Sequence, residues 1–171
     1  MKKNLYYLLL PLIAVLCSCS KDDDETSDKD MTPPAIEGAG DVTSPINCQI
    51  YGKGDVIPFR YTFTDNRELG KFNIEIHNNF DHHTHSTDAG DCQLDPKKEP
   101  EYPWIYNQDY SILEGSKSYE AQVDIPIPED IDTGDYHFMI RVTDKTGWQQ
   151  LKAVSLKIQE KKEFIHIQKE Q

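Results

Sequence analysis

The sequence predicts an all-β fold, an antiparallel β-sandwich, and three observations favour it. Apolar and polar residues alternate with a period of two over successive segments, which is typical of half-buried antiparallel strands. No segment shows a convincing helical periodicity. Proline, glycine and aspartate stand between the alternating segments, where the chain has to turn.

The clearest alternation lies in residues 56–64. Ile57, Phe59, Tyr61 and Phe63 point to one side of that segment, and polar residues point to the other. Similar patterns recur up to residue 159. We predict strands A and A′ around 35–50, B at 56–64, C at 71–78, E at 118–125, F at 135–143 and G at 148–159.

The segment from Asp132 to Tyr136, which leads into strand F, narrows the choice of β-sandwich fold. It resembles the tyrosine corner of immunoglobulin-type sandwiches, in which the tyrosine hydroxyl bonds back to the preceding backbone. In antibody domains a cysteine follows two residues later, and here that residue is Phe138. We therefore predict an immunoglobulin-like sandwich without the inter-sheet disulfide of antibodies.

Residues 80–117 are predicted to form one long irregular loop. They are rich in aspartate, proline, tyrosine and glycine, and loops of this length are often functional. Tyr102, Trp104, Tyr106 and Tyr110 lie in this loop, where they could stack on a sugar ring or simply pack together.

The first residues read as the leader of a bacterial lipoprotein. Two lysines precede an uncharged apolar run, Leu5 to Leu16, which is too short to span a membrane comfortably and is typical of a signal peptide. The run ends in Leu16-Cys17-Ser18-Cys19, which resembles the lipobox of bacterial lipoproteins. Cys19 is the predicted lipid attachment site, because Cys17 would follow the bulky Leu16. An ordinary secreted protein with a stray cysteine is the disfavoured alternative.

An acidic patch, Ser20 to Glu25, follows the predicted lipid site. It resembles the export signal that sends lipoproteins of Bacteroidota-type bacteria to the outer face of the outer membrane, although a solvated spacer would have the same composition. Residues 20–31 have almost no apolar content, as expected of a flexible tether.

The charge balance limits the partners. The whole chain carries a formal net charge of −12, and removing residues 1–18 takes away Lys2 and Lys3 and no acidic residue, which leaves −14. Such a charge argues against nucleic acid as a partner and is compatible with solubility or with cation capture.

These observations define four segments and one disulfide. We predict a signal peptide at 1–18, a tether at 19–32, the sandwich domain at 33–160 and a charged tail at 161–171. Cys48 and Cys92 form an even pair in an oxidising compartment, so a disulfide is expected. Two thiolate metal ligands are the weaker alternative, because no CxxC spacing is present.

Four of the six histidines fall within nine residues, at 77, 82, 83 and 85. Imidazole is the commonest side-chain ligand for transition metals. His77 ends strand C and His137 begins strand F, and these strands are antiparallel neighbours in an immunoglobulin-like sandwich. Both histidines lie opposite the apolar face of their strand, so we expect them to be close together on the outer face of one sheet.

The loop is expected to complete the site. His83 and His85 project to the same side if their segment is extended. Folded back over the sheet, they would join His77 and His137 as three or four nitrogen ligands, with Asp81 or His82 as a further ligand or an outer partner. Such a site suits Zn²⁺, Cu²⁺ or Ni²⁺ rather than Ca²⁺. A solvated polar loop is the competing interpretation.

Other chemistry has less support in the sequence. Asp65, Asn66 and Asp144 are of the kind that bind calcium between cadherin-like domains, but in a single domain without repeats they are interpreted as turn residues. No nucleophile elbow, Walker loop or paired acid and base is present, which predicts a protein that is not an enzyme.

From about Pro33 to Ile158 the chain resembles an uncharacterised domain family of Bacteroidota surface lipoproteins. The resemblance is carried by Thr64-Asp-Asn, by Ile74-Glu-Ile-His and Phe80-Asp-His-His-Thr-His, and by Gly134-Asp-Tyr-His-Phe. It implies an immunoglobulin-like fold and no particular activity.

Together these features predict an outer-membrane lipoprotein, exposed at the cell surface, that binds a transition metal such as zinc or copper, or a metal-bearing compound. An outer-membrane transporter is the partner expected from that location. The alternatives are a glycan-binding or adhesion module that uses the aromatic loop, and a structural accessory subunit of a surface complex.

Overall fold

The computed structural model describes residues 29–85 and 92–161. This part of the chain forms eight strands and one short 3-10 turn at Gly40–Val42, with no α-helix. The strands are β1 (Ala35–Gly38), β2 (Gln49–Gly52), β3 (Val56–Thr64), β4 (Leu69–Asn78), β5 (Tyr106–Ser111), β6 (Ser118–Pro126), β7 (Gly134–Asp144) and β8 (Gln149–Gln159).

The strands form two sheets that pack as a sandwich, which confirms the predicted all-β fold. One sheet has the order β1-β3-β6, and the other has the order β2-β8-β7-β4-β5. All pairings are antiparallel except that of β2 with β8, which is parallel. Predicted strands A, A′, B, C, E, F and G correspond to β1, β2, β3, β4, β6, β7 and β8.

Strand β5 corrects the prediction of one irregular loop over residues 80–117. Its residues Tyr106–Ser111 pair with the outer edge of β4. The strand is mostly polar, as edge strands often are, so its sequence lacks the alternation that reveals a half-buried strand. Tyr110 stacks on Phe72 of β4 with ring centroids 4.7 Å apart. The longer irregular segment that remains runs from residue 79 to residue 105, with residues 86–91 outside the described part, and a short one follows β5 at 112–117.

Aromatic side chains from both sheets fill the space between them. Phe59 of β3 has no solvent exposure, and its ring stacks on Phe72 of β4 at 5.9 Å and on Phe138 of β7 at 5.8 Å. Large aromatic rings remove much apolar area from water, so this contact is a main source of stability between the sheets. Phe138, the residue in place of the antibody cysteine, thus belongs to the core.

The tyrosine corner is confirmed. The Tyr136 hydroxyl donates a hydrogen bond to the Asp132 carbonyl oxygen at 2.7 Å, and the side chain is fully buried. The backbone N–H of Trp104 in turn donates to the same hydroxyl at 3.4 Å. The corner therefore attaches the irregular segment to the start of β7.

The outer face of β7 is covered as well as its inner face. Asp135 and His137, both on the outer side, are 5 % and 2 % exposed. The irregular segment provides the cover: the N–H of Asp95 donates to Asp135 Oδ2 at 2.7 Å, and the N–H of Asn79 donates to the Asp135 carbonyl at 2.7 Å. At Gly134, which has a φ of +128°, a Cβ atom would lie 2.9 Å from the Phe80 ring. Both the positive φ and the closeness of the Phe80 ring require glycine at this position.

No helix in residues 29–85 and 92–161 is long and apolar enough to cross a bilayer. The predicted signal peptide, Cys19 and most of the predicted tether lie in residues 1–28, outside the described residues. The charged tail beyond Lys161 lies outside them too.

The predicted disulfide is present and joins Cys48, just before β2, to Cys92 in the irregular segment. It closes a loop with a sequence separation of 44 residues. On the chain-entropy model such a loop stabilises the folded state by about 4 kcal/mol.

We predict that changing Cys48 and Cys92 together to serine lowers the free energy of unfolding by about 4 kcal/mol, as measured by urea denaturation. Reducing the unmodified protein is expected to have the same effect, and a reductant should leave the double variant unchanged. Equal urea midpoints for the oxidised and reduced protein would contradict the prediction.

Candidate metal site

The candidate site lies where β4 ends and β7 begins. His77 and His137 are direct partners in the register of these two strands, which confirms their predicted proximity. Their ring centroids are 5.5 Å apart. Beyond β4 the chain turns back over the sheet at His82, whose φ of +60° is a left-handed conformation found in tight turns. This turn brings His83 and His85 over His77.

Three imidazoles converge through their Nε2 atoms. His77 Nε2 lies 3.0 Å from His85 Nε2 and 3.2 Å from His83 Nε2. One ring nitrogen from each of these three residues lies within 4.8 Å of the others. Nitrogens bound at about 2.05 Å to one tetrahedral ion are separated by about 3.3 Å. The histidine triad His77, His83 and His85 therefore has nearly the spacing of three ligands around one ion.

Carboxylates lie beside the outer nitrogens of two triad members. Asp81 Oδ1 accepts a hydrogen bond from His83 Nδ1 at 2.6 Å. Glu75 Oε1 lies 3.2 Å from His77 Nδ1, in a direction that does not complete a hydrogen bond. A proton on Nδ1 leaves the lone pair of Nε2 free to face the centre of the triad, the arrangement typical of histidines that bind metals. Asp81 thus lies in the predicted outer position rather than among the inward-facing atoms.

Burial favours the neutral form of two members of the triad, His77 and His85. Loss of hydration lowers the pKa of His77, and the neighbouring His85 and His83 lower it further, against an opposing effect of Glu75. Burial and the charge of His83 also lower the pKa of His85. Neutral imidazole is the form that binds a metal ion, so at pH 7 these two histidines need release no proton before binding.

His137 lies beside the triad rather than in it. Its Nε2 is 3.1 Å from the His83 carbonyl oxygen, to which it donates a hydrogen bond, and its ring centroid is 4.6 Å from that of His85. Its Nδ1 is buried and has no hydrogen-bond partner among the described residues. In this geometry His137 holds the backbone of His83 over the sheet, which is a positioning role.

The remaining predicted residues are placed elsewhere. His82 Nε2 contacts the Asp95 carbonyl oxygen at 2.9 Å, away from the triad, and so secures the turn. Trp104 is 7 % exposed and packs against Tyr106 and Tyr136. A ring buried to this extent cannot serve as a platform for a sugar, whereas Tyr102 is 68 % exposed.

Glu75, which lies beside His77 Nδ1, is a neighbour of the site that was not predicted from the sequence. Its position two residues before His77 on the same strand places both side chains on one face, so strand parity alone would have identified it.

The pKa of His137 generates a prediction about pH. Burial lowers this pKa to about 4 from 6.5. Between these values the unfolded chain takes up a proton that the folded protein excludes, so stability falls as the pH falls. From pH 6.5 to pH 4, His137 therefore lowers the free energy of unfolding by about 3 kcal/mol.

The variant His137→Gln tests this in the absence of metal, since glutamine keeps a donor for the His83 carbonyl. Between pH 6.5 and pH 4, the free energy of unfolding of this variant should fall by about 3 kcal/mol less than that of the unmodified protein. Urea denaturation at several pH values measures it, with His82→Gln as the control. The same pH slope in His137→Gln and in the unmodified protein would show that the charge of His137 does not destabilise the fold.

The chain belongs to a family described as a domain of unknown function (DUF4625), whose model matches residues 17–159. No curated protein matches the chain. The family match identifies the domain, while the bacterial group, the surface location and the metal stay predictions from the sequence and the site.

Proposed function

We propose that this member of the DUF4625 family is a surface-tethered lipoprotein that binds a transition metal ion, or a compound carrying one, through the histidine triad. The observation that supports the proposal most is the convergence of three Nε2 atoms, with contacts of 3.0 and 3.2 Å, on residues from a strand and a loop. In neutral imidazoles, His77 Nε2 can form a good hydrogen bond with only one of the two other Nε2 atoms, because it carries either one proton or one lone pair. Hydrogen bonding between the rings therefore does not explain why all three Nε2 atoms converge.

The nature of the ligands points to zinc or copper. Imidazole is a borderline ligand that suits Zn²⁺ and Cu²⁺, whereas calcium and magnesium prefer oxygen. Three protein ligands leave a position on a four-coordinate ion for water or for a donor atom of another molecule. The site therefore suits a protein that captures an ion and passes it on, or that recognises a compound through its metal.

The leader supplies the proposed location. Cys19 would carry the lipid, and the acidic tether after it would place the domain outside the outer membrane. A transporter in that membrane is the proposed recipient of the cargo. The strongly acidic chain, with 30 acidic against 18 basic residues, would attract cations to the surface of the domain.

Titration of the purified chain with Zn²⁺ and Cu²⁺ in a calorimeter tests the proposal. We expect one ion per chain with a dissociation constant well below about 1 mM, and a loss of about 100-fold or more in affinity when His83 and His85 are changed together to alanine. The control is Thr84→Ala, which removes an exposed side chain between the two histidines and should bind as the unmodified protein does. Unchanged affinity in the double variant would refute the triad as the site.

A second prediction concerns Asp81. Its carboxylate orients the His83 ring, and outer partners of this kind typically change metal affinity by about 10- to 100-fold. We expect Asp81→Asn to weaken binding within that range without lowering stability by more than about 1 kcal/mol, because Asp81 is exposed.

The same calorimetric titration measures the effect of Asp81→Asn. A matched loss of charge, Asp124→Asn on the other sheet, separates the local hydrogen bond from the overall charge of the protein. Equal weakening in both variants would mean that Asp81 acts only through its charge.

A further inference from the structure

A second group of potential ligands lies at the other end of the β4–β7 pair. It consists of Asp30, in the segment before β1, Asp65, in the turn between β3 and β4, and Asp144, the last residue of β7. One carboxylate oxygen of each lies within 4.8 Å of the others. We name these three residues the carboxylate cluster.

Turn formation explains the hydrogen bonds of Asp65 and Asp144, but it does not explain why Asp30 lies beside them. Asp65 Oδ1 accepts hydrogen bonds from the N–H groups of Arg67 and Glu68 at 2.8 and 2.6 Å. Asp144 Oδ1 accepts them from the N–H groups of Gly147 and Trp148 at 2.6 and 2.8 Å. These bonds confirm the predicted role of Asp65 and Asp144 in turns. They do not account for Asp30, which is brought to them from outside both turns.

Two oxygens of the cluster are buried without a hydrogen-bond partner in the described part of the chain. Asp30 is 4 % exposed, and its Oδ1 accepts hydrogen bonds from the Thr32 N–H at 3.0 Å and from Asn66 Nδ2 at 3.1 Å. Its Oδ2, like Oδ2 of Asp65, is inaccessible to solvent and has no hydrogen-bond partner among the described residues. Leaving a buried carboxylate oxygen unsatisfied is costly, so such atoms normally have a donor or a cation.

Arg67 and Lys117 lie near the carboxylate cluster. The Thr32 N–H, with help from Asn66 and the charge of Arg67, holds the pKa of Asp30 below its usual value despite the opposing effect of burial. Lys117 Nζ donates a hydrogen bond to the Asn66 carbonyl oxygen at 3.0 Å.

We propose that Asp30, Asp65 and Asp144 bind a calcium ion. All the donor atoms are oxygens, which a hard cation prefers, and two oxygens on opposite sides of a calcium ion are separated by about 4.6–5.2 Å. The unpartnered oxygens of Asp30 and Asp65 would be satisfied by the ion. Magnesium needs a tighter octahedron and gives up its water reluctantly, so it fits this loosely spaced group less well.

Calcium here would join the N-terminal segment to the sandwich. Asp30 lies five residues before β1, and its carbonyl oxygen accepts a hydrogen bond from Trp148 Nε1 at 3.1 Å. A bound ion would hold that segment against the turns at Asp65 and Asp144. The domain would then project from its tether in one defined direction when calcium is present.

Trp148 makes the site directly measurable. Terbium, Tb³⁺, takes the place of calcium in oxygen sites and emits light when a nearby indole transfers energy to it. We expect the purified full-length chain to give sensitised Tb³⁺ emission that Ca²⁺ displaces and Mg²⁺ displaces much less.

Two variants and one control identify the residues. Asp65→Asn and Asp30→Asn keep the acceptor at Oδ1 and remove the charge, so each should weaken Ca²⁺ displacement and Tb³⁺ emission by about tenfold or more. Asp41→Asn, an exposed residue with the same loss of charge, should leave both unchanged. The double alanine variant of His83 and His85 should also bind calcium normally, so failure of this proposal and failure of the proposed transition-metal site are distinguishable.

Thermal unfolding gives a readout that does not depend on terbium. An excess of Ca²⁺ over chelator should raise the melting temperature of the unmodified chain by about 5 °C and leave Asp65→Asn unaffected. Without calcium, Asp65→Asn should be at least as stable as the unmodified chain, because carboxylate repulsion is relieved. An unchanged melting temperature, or emission that survives in both aspartate variants, would overturn the proposal.

Discussion

The antiparallel pairing of β4 with β7 positions both groups of potential ligands. This pair lies inside the five-stranded sheet, and its register sets His77 opposite His137 at one end. At the other end the same register sets Leu69 opposite Asp144. Since side chains alternate along a strand, one change of register would move the histidines to the core face and the apolar residues to the outside. Burial of the aromatic side chains between the sheets therefore fixes the register, and the register decides which residues lie on the outer face.

The irregular segment from residue 79 to residue 105 converts that outer face into a site. It is attached at several points by unrelated interactions: the disulfide to Cys48, the bonds to Asp135 and the tyrosine corner. Lys157 adds an ion pair to Asp95 at 2.6 Å and to Asp135 at 3.4 Å. A loop held in this way loses less conformational entropy on binding, which favours a preformed set of ligands. The same cover removes His77, His85 and His137 from water, which lowers the pKa of each.

The two ends of the pair offer different chemistry in one small domain. Nitrogen ligands lie at the end of β4 and suit a borderline metal, whereas oxygen ligands lie before its start and suit a hard cation. The eight residue-to-residue steps from Leu69 to His77 span about 26 Å of extended strand. The carboxylate cluster includes Asp30, which belongs to the predicted tether, so the histidine triad lies at the end of the β4–β7 pair remote from the tether. In the proposed tethered protein, that end would be free to meet cargo or a partner.

The sequence by itself determined the sandwich, the disulfide and the closeness of His77 to His137. Period-two alternation, an even pair of cysteines and the tyrosine corner are local signals, and each has a direct physical cause. Edge strand β5 was not predicted, because a mostly polar strand buries few side chains and so shows no alternation of apolar and polar residues. The convergence of the Nε2 atoms, the separate role of His137 and the meeting of Asp30 with Asp65 and Asp144 were decided only by the tertiary structure. Each depends on where a loop or a terminal segment folds back, and that is set by many weak long-range contacts rather than by the residues that meet.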